Sequence, residues 1–290
     1  MDIIEALKYL ILGIVQGITE VIPVSSSGHV ELAQIILNVT TEEKLLFLIL
    51  VNTGSLMTFL IIYFKRIIEL IRDFFVYIFK KNLREERYNN FIFAVRIIVA
   101  CIPAAIVGFF LDDIINDSLL TYGTLFVGVG LLVTGTMLYF IKDTRILKGK
   151  TMINWTDTLL IGLAQSVAVF PGISRSGMTT ATSIKRGMGI DSALNFSFLL
   201  YIPLSVGSLF LMIYKVYDKV NNLGLTLTES LGVPGGEYIL YYGLAFVGAA
   251  VATYFAYRLV FNIFKSGKLK YFSYYAFAIG LISIFYYMAR

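Results

Sequence analysis

Residues 13–29 read G-I-V-Q-G-I-T-E-V-I-P-V-S-S-S-G-H, an apolar run with a site's worth of chemistry inside it. Gln16 and Glu20 stand one helical turn apart and share a helix face. Pro23 follows, then Ser25, Ser26, Ser27, Gly28 and His29, the only histidine in 290 residues. An acid, a run of hydroxyls and an imidazole are expensive within hydrophobic sequence, so function is the first reading of them. The same stretch decides the fold. On either side of the Pro/Ser/Gly break the arms are too short to cross a bilayer alone, which predicts a re-entrant hairpin entering and leaving on one side. Irregular backbone at that depth is tolerated only where protein or a wet cavity satisfies it.

The rest of the chain agrees with a membrane setting. It is 58% hydrophobic and 15% charged, with a mean hydropathy of +0.79, whereas soluble domains run near ~25% charged. Several apolar stretches approach the ~20 residues that span a bilayer. The opening M-D-I-I-E-A-L-K carries two acids and no basic stretch, so it does not read as a cleaved signal peptide. The net charge of +5 is scattered over loops and gives no basic stripe for nucleic acid. Cys101, the one cysteine, permits neither an internal disulfide nor a cysteine metal site.

The opening pattern then starts again. Gly13-Ile-Val-Gln16 is echoed by Gly162-Leu-Ala-Gln165, and Ser25-Ser-Ser-Gly28 by Ser174-Arg-Ser-Gly177, both at an offset of 149. Gly54-Ser-Leu56 matches Gly207-Ser-Leu209, and Gly130-Leu-Leu132 matches Gly280-Leu-Ile282, at offsets of 153 and 150. These matches predict an all-α polytopic membrane protein of two repeats, 1–150 and 151–290, forming one integrated domain. Each repeat is a re-entrant hairpin (3–38, 155–190) plus three transmembrane helices (45–63, 91–110, 121–141; 193–214, 238–257, 272–288). Three spans per half is odd, so the repeats are expected in inverted topology. Residues 65–90, rich in both charges, read as a solvated amphipathic loop, and Asp112, Asp113 and Asp117 as a short acidic one. If 65–90 is cytoplasmic, seventeen of the 24 Lys and Arg fall inside. Only Lys44, Lys215, Lys219 and Arg290 fall outside, a strong positive-inside signal. The first hairpin then enters from outside and the second from inside, their tips meet near the midplane, and both termini lie outside.

At the meeting point Gln16, Glu20, Ser25, Ser26, Ser27 and His29 face Ser174, Arg175, Ser176, Thr179 and Thr180. Pro23 and Pro171 are expected to end the first arms, and serines to cap the second. Two helix N-termini aimed at one volume favour an anion, phosphate above all. Arg175 adds a permanently charged bidentate clamp. Glu20 and Gln16 offer hard oxygen ligands suited to Mg²⁺ or Ca²⁺ shared with a diphosphate. The serines offer a nucleophile, and His29 a general acid or base. The set fits hydrolysis of a phosphoanhydride whose hydrophobic tail stays in lipid.

On Gln16-x-x-x-Glu20, P-V-S-S-S-G-H at 23–29 and P-G-I-S-R-S-G-M-T at 171–179, the chain resembles the undecaprenyl-diphosphate phosphatases, also called bacitracin-resistance proteins. The resemblance covers the whole length. It implies removal of one phosphate from a C55 polyprenyl diphosphate, which recycles the lipid carrier for cell-envelope glycan, peptidoglycan included. By motif position it implies Glu20 as the essential acid, Ser26 as nucleophile, His29 in proton transfer and Arg175 as diphosphate clamp. Gln16, where the family shows Glu or Gln, cannot act as a base and holds a cation more weakly. The expected partners are the polyprenyl diphosphate and membrane lipid, with a homodimer left open and the site reached from the extracytoplasmic side.

Other readings compete. Inverted repeats with broken helices also build transporters, so a lipid flippase using the same anion site is the alternative. Phosphatidic-acid-type phosphatases need a second histidine, which this chain lacks. Glu20 and Arg175 could form an ion pair and nothing more, Arg96 could snorkel, and Lys185 and Arg186 read as anchors. Asn52, Thr53 and Ser55 line a cavity or pack. The tyrosines of the C-terminal half fit interfacial belts.

Overall fold

The computed structural model describes residues 2–39, 44–142, 144, 149–224, 226, 236–266 and 268–289. Outside the described residues lie Arg145, Lys148, Arg290 and the side chains of Lys44, Asp112, Asp113, Asp117 and Lys219. The described chain is helical; its one β-type feature is an isolated bridge between Lys150 and Met188.

Helix α1 (Ile3–Val21) starts on Asp2, whose carboxylate accepts the Ile4 N–H at 2.8 Å. A four-residue turn leads to α2 (Ser26–Leu37). Helix α3 (Lys44–Ile62) bends by 74° into α4 (Phe64–Phe79). Helix α5 (Arg84–Tyr139) has two arms, separated at Gly123, where φ +31° and ψ −105° break the helix. Helices α6 (Trp155–Val167) and α7 (Arg175–Lys185) form a second hairpin, followed by α8 (Ile190–Leu223), α9 (Gly236–Lys265) and α10 (Leu269–Met288). Among the described residues five helical stretches are long and apolar enough to cross a membrane, or six with the bent α3–α4 pair counted as one. Helices α2, α6 and α7, at 12, 13 and 11 residues, fall well short of the ~20 needed. Helix α1, at 19 residues, is longer than the short arm expected, and Glu5, Lys8 and Glu20 interrupt its apolar run.

Two loop expectations are corrected. Residues 65–90 are mostly helix: their apolar positions recur at helical spacing, and Phe64, Ile68, Ile71, Phe75 and Phe79 form an exposed stripe along α4. Such a stripe opposite charged residues is what an interfacial helix presents. The acidic segment 112–117 is helical too, and the chain breaks only at Gly123. In the second hairpin the first arm ends at Val167, four residues before Pro171, which lies inside the turn.

Small residues set the packing. A Cβ added at Gly13 would lie 2.0 Å from the Ala245 carbonyl oxygen, and one at Gly17 2.3 Å from that of Ala249, so α1 lies directly on α9. Helix α6 approaches the first arm of α5 in the same way, Gly162 against the Ala100 carbonyl at 2.8 Å. The second arm of α5 meets α10 where Gly128 faces Gly280. Close backbone approach of this kind drives helix association where the hydrophobic effect cannot. The largest core cluster gathers Phe59, Phe196, Phe198 and Tyr201 between α3 and α8.

Candidate active site

The tips of the two hairpins touch. A Cβ on Gly28 would lie 3.2 Å from Gly172 Cα, and one on Gly177 3.4 Å from Pro23 Cβ. The second tip turns at Gly172, whose φ of +87° suits glycine; a Cβ there would also lie 2.3 Å from the Val127 carbonyl oxygen. Thr134 pins this turn, donating to the Gly172 carbonyl at 2.9 Å and accepting the Ser174 N–H at 2.8 Å.

Each second arm begins on a serine cap. Ser25, at φ +70°, accepts the Gly28 N–H at 3.4 Å, and Ser174 accepts the Gly177 N–H at 3.0 Å. Capping places the first helical residue of each arm, Ser26 and Arg175, at the junction of the tips. First-turn amides have no intrahelical acceptor, so this junction is lined with donors.

Glu20, at the end of α1 and 8% exposed, is the centre of the site. Its Oε2 accepts from Gln16 Nε2 at 2.8 Å and from Ser26 Oγ at 2.7 Å. Its Oε1 accepts from Arg175 Nη2 at 2.7 Å. The guanidinium also lies over the Tyr201 ring, 4.2 Å from its centroid, and the Tyr201 hydroxyl donates to Asn52 Oδ1 and to its carbonyl at 2.8 and 2.9 Å. The ion pair weighed from sequence does form, and the serine hydroxyl is bonded to the same carboxylate.

His29 is turned away from Ser26. Its Nδ1 lies 2.8 Å from the Ser25 carbonyl and its Nε2 2.9 Å from the Tyr275 hydroxyl, with the two rings stacked at 5.5 Å. A carbonyl only accepts, so Nδ1 carries the hydrogen of the neutral ring and Nε2 accepts from Tyr275. The remaining site residues sit close by. Ser27 is half-buried in the first turn of α2, Ser176 Oγ is 3.3 Å from Ser174 Oγ, and Thr179 bonds the Arg175 carbonyl at 2.9 Å and the Ser197 hydroxyl. Thr180 is buried, and its hydroxyl has no hydrogen-bond partner among the described residues.

Sequence reasoning missed Tyr201, Tyr275 and Asn52 as supports of the site. The sequence assigns the tyrosines to interfacial belts, yet Tyr201 is 3% exposed beneath Arg175. Asn52 was left between lining and packing, and a polar residue inside an apolar span was its one available signal. Arg186 is likewise more than an anchor: it donates to Asp157 at 2.6 Å.

Among the described residues no group of three or more His, Cys, Asp or Glu side chains gathers as a metal site. The protein's contribution at the tips is one carboxylate, Glu20, beside the Gln16 amide. That set suits a hard cation which brings most of its ligands with it, as Mg²⁺ on a diphosphate does.

Residues 9–282 match the family described as bacitracin resistance protein BacA. The chain is 39% identical over 280 residues to undecaprenyl-diphosphatase 1 of Bacillus cereus, covering 97% of each protein. It is 40% identical to the undecaprenyl-diphosphatase of Oceanobacillus iheyensis, covering 96% of this chain and 95% of that one. It is 35% identical to that of Acholeplasma laidlawii, covering 99% of both. With a family match across nearly its whole length, and the tip-to-tip site lying within it, the chain belongs to the bacitracin-resistance (BacA) family.

Proposed function

We propose that this membrane protein is an undecaprenyl-diphosphatase, removing the terminal phosphate of undecaprenyl diphosphate to leave the monophosphate lipid carrier. The observation that carries the reading is the Glu20 carboxylate, which binds Ser26 through one oxygen and Arg175 through the other. The near full-length relatives bearing that name support it.

The chemistry follows from that pairing. Arg175 leaves Glu20 for the terminal phosphate while the Tyr201 ring keeps its plane. The donor-lined start of α2 and α7 takes the remaining phosphate oxygens. Ser26 Oγ passes its proton to Glu20 and bonds to phosphorus, while the bridging oxygen leaves with the lipid monophosphate. Glu20 passes that proton to the departing lipid monophosphate. As a carboxylate again, it takes a proton from the water that attacks the phosphoserine and returns it to Ser26 Oγ as inorganic phosphate leaves. His29, held in one tautomer by Ser25, accepts from Tyr275 and fixes the orientation of that hydroxyl. Gln16 orients the carboxylate, Ser174 and Ser25 hold the caps, and Ser27, Ser176 and Thr179 complete the polar wall. Glu20 and the Gln16 amide oxygen would hold a divalent cation arriving with the substrate, which would supply neutralisation of the diphosphate charge.

The supporting architecture is an inverted repeat. The first arm α1 of the first half lies on α9 of the second, and α6 of the second half lies on α5 of the first. Gly13 and Gly162, 149 residues apart, make the equivalent contacts. Like pairs with like elsewhere, α3 with α8 and the second arm of α5 with α10. With the Lys/Arg-rich loops cytoplasmic, the first hairpin opens outward and the site is reached from the extracytoplasmic side.

The test is phosphate release from undecaprenyl or farnesyl diphosphate by purified protein in detergent, with and without Mg²⁺ or Ca²⁺. Turnover that vanishes in Ser26→Ala and Arg175→Ala, with elution and unfolding midpoint preserved, is the expected result. Wild-type protein that binds the lipid but releases no phosphate under any condition overturns it.

A further inference from the structure

A second polar cavity lies away from the hairpin tips, where the start of α5 meets the start of α6. It is an open cleft of about 420 Å³, lined by Tyr88, Asn89, Arg96, Lys150, Asn154 and Asp157 among others. Asn154, in the lining, caps the start of α6, and the second tip follows the other end of that helix at Val167, 13 residues away, roughly 20 Å at the helical rise. The cavity is therefore outside the site described above.

Its charge is unbalanced. Asp157, fully buried, is the only acid in the lining, and it is already met by Arg186 at 2.6 Å and Lys150 at 3.6 Å. It also closes the cap of α6 through the Asn154 N–H. Arg96 is then left over. Its guanidinium lies over the Trp155 ring at 5.4 Å, its Nε is buried, and that Nε has no hydrogen-bond partner among the described residues. Arg96 forms no ion pair either, again among the described residues. A buried arginine donor without an acceptor costs a few kcal/mol, and an anion entering the cavity removes that cost.

We propose that this cavity is an anion-binding site for a phosphate group, with Arg96 as its principal donor and Lys150 beside it. Arginine forks match the oxygens of a phosphate, and basic pockets between membrane helices on this Lys/Arg-rich face suit lipid headgroups. The same two helices expose Ile98, Ile102, Leu159 and Leu163, an apolar wall along which a lipid tail would run. The phosphate chemistry is common to a phospholipid headgroup and to free phosphate.

Trp155 is the only tryptophan in the protein, so its fluorescence reports on this cavity alone. Full-length protein in a nonionic detergent is titrated with dioctanoyl phosphatidylglycerol, with dioctanoylglycerol and with inorganic phosphate. The proposal requires a saturable change with a phosphate-bearing ligand and none with dioctanoylglycerol. Saturation by the phospholipid alone identifies a headgroup as the source, and saturation by inorganic phosphate at the same concentrations identifies free phosphate. In Arg96→Gln, with elution and unfolding midpoint unchanged, affinity should fall roughly tenfold or more, with partial recovery in Arg96→Lys. No response to either phosphate ligand, an equal response to dioctanoylglycerol, or full affinity in Arg96→Gln overturns the proposal.

Discussion

Glu20 holds three donors from three directions, and each can be removed separately. Glu20→Gln keeps the shape and most of the hydrogen bonding but cannot take the Ser26 proton. Its turnover should fall by roughly 10²–10⁴-fold, the usual span for a general base, with little change in unfolding midpoint. Arg175→Lys keeps the charge but loses the planar fork and the stack on Tyr201, so steady-state kinetics should show a large loss in kcat rather than full rescue. Tyr275→Phe removes one hydrogen bond from His29 and should lower kcat only several-fold, in line with about 1 kcal/mol. A Tyr275→Phe enzyme as inactive as Ser26→Ala would mean that the hydroxyl itself transfers an indispensable proton. The sequence made Glu20, Ser26, His29 and Arg175 legible because polar groups in apolar runs stand out. It hid Tyr201 and Tyr275 because the chain has 19 tyrosines, each amphipathic enough for a belt. Tyr275 also meets its partner across 246 residues.

Helix α4 was hidden for a different reason. Its charges suggest solvent by composition, and the helical period of its apolar residues carries the contrary signal. Asp73 ties it to α5: fully buried, it accepts from Asn90 at 2.6 Å and lies 2.9 Å from Arg72 and 3.5 Å from Arg87. Burial pushes its carboxyl up, but Asn90 and the two guanidiniums outweigh this and hold it below its ordinary value of 3.8. A depressed carboxyl stabilises the fold above its unfolded value and loses that contribution as pH falls through the folded one. Amide protection factors over 64–90, with intrinsic chemical exchange divided out, should therefore be flat from neutral pH down to about pH 5 and fall below about pH 4. Asp73→Asn should already exchange faster at neutral pH and lose most of that acid dependence. At the second hairpin, Gly172→Ala meets both a positive φ and the Val127 carbonyl. It should cost several kcal/mol in unfolding and lower activity with it, whereas Gly207→Ala, which meets nothing within 4 Å, should do neither.

The long apolar helices were readable from hydropathy and the two helix breaks from their polar residues, but length misjudged α1, which runs to 19 residues. How the helices interlock was not readable, because Gly13 on Ala245 and Gly162 on Ala100 are contacts between segments that share no local pattern. Orientation makes a separate prediction. In a Cys101→Ser background, Asp2→Cys and Arg290→Cys should both react with a membrane-impermeant thiol reagent in intact cells. Labelling of one terminus alone would mean that a hairpin spans the membrane instead of returning.

The bond between Glu20 and Arg175 also has a history within each molecule's synthesis. Its partners are 155 residues apart, so the acid is made and placed long before the arginine exists. At ribosomal rates of 5–20 residues per second the interval is roughly ten to thirty seconds. Throughout it the first hairpin must keep an unmatched carboxylate in contact with water, or with the machinery that inserts it. A chain truncated before residue 175 should therefore be recognised by membrane quality control as unfinished, even though its first three spans are complete.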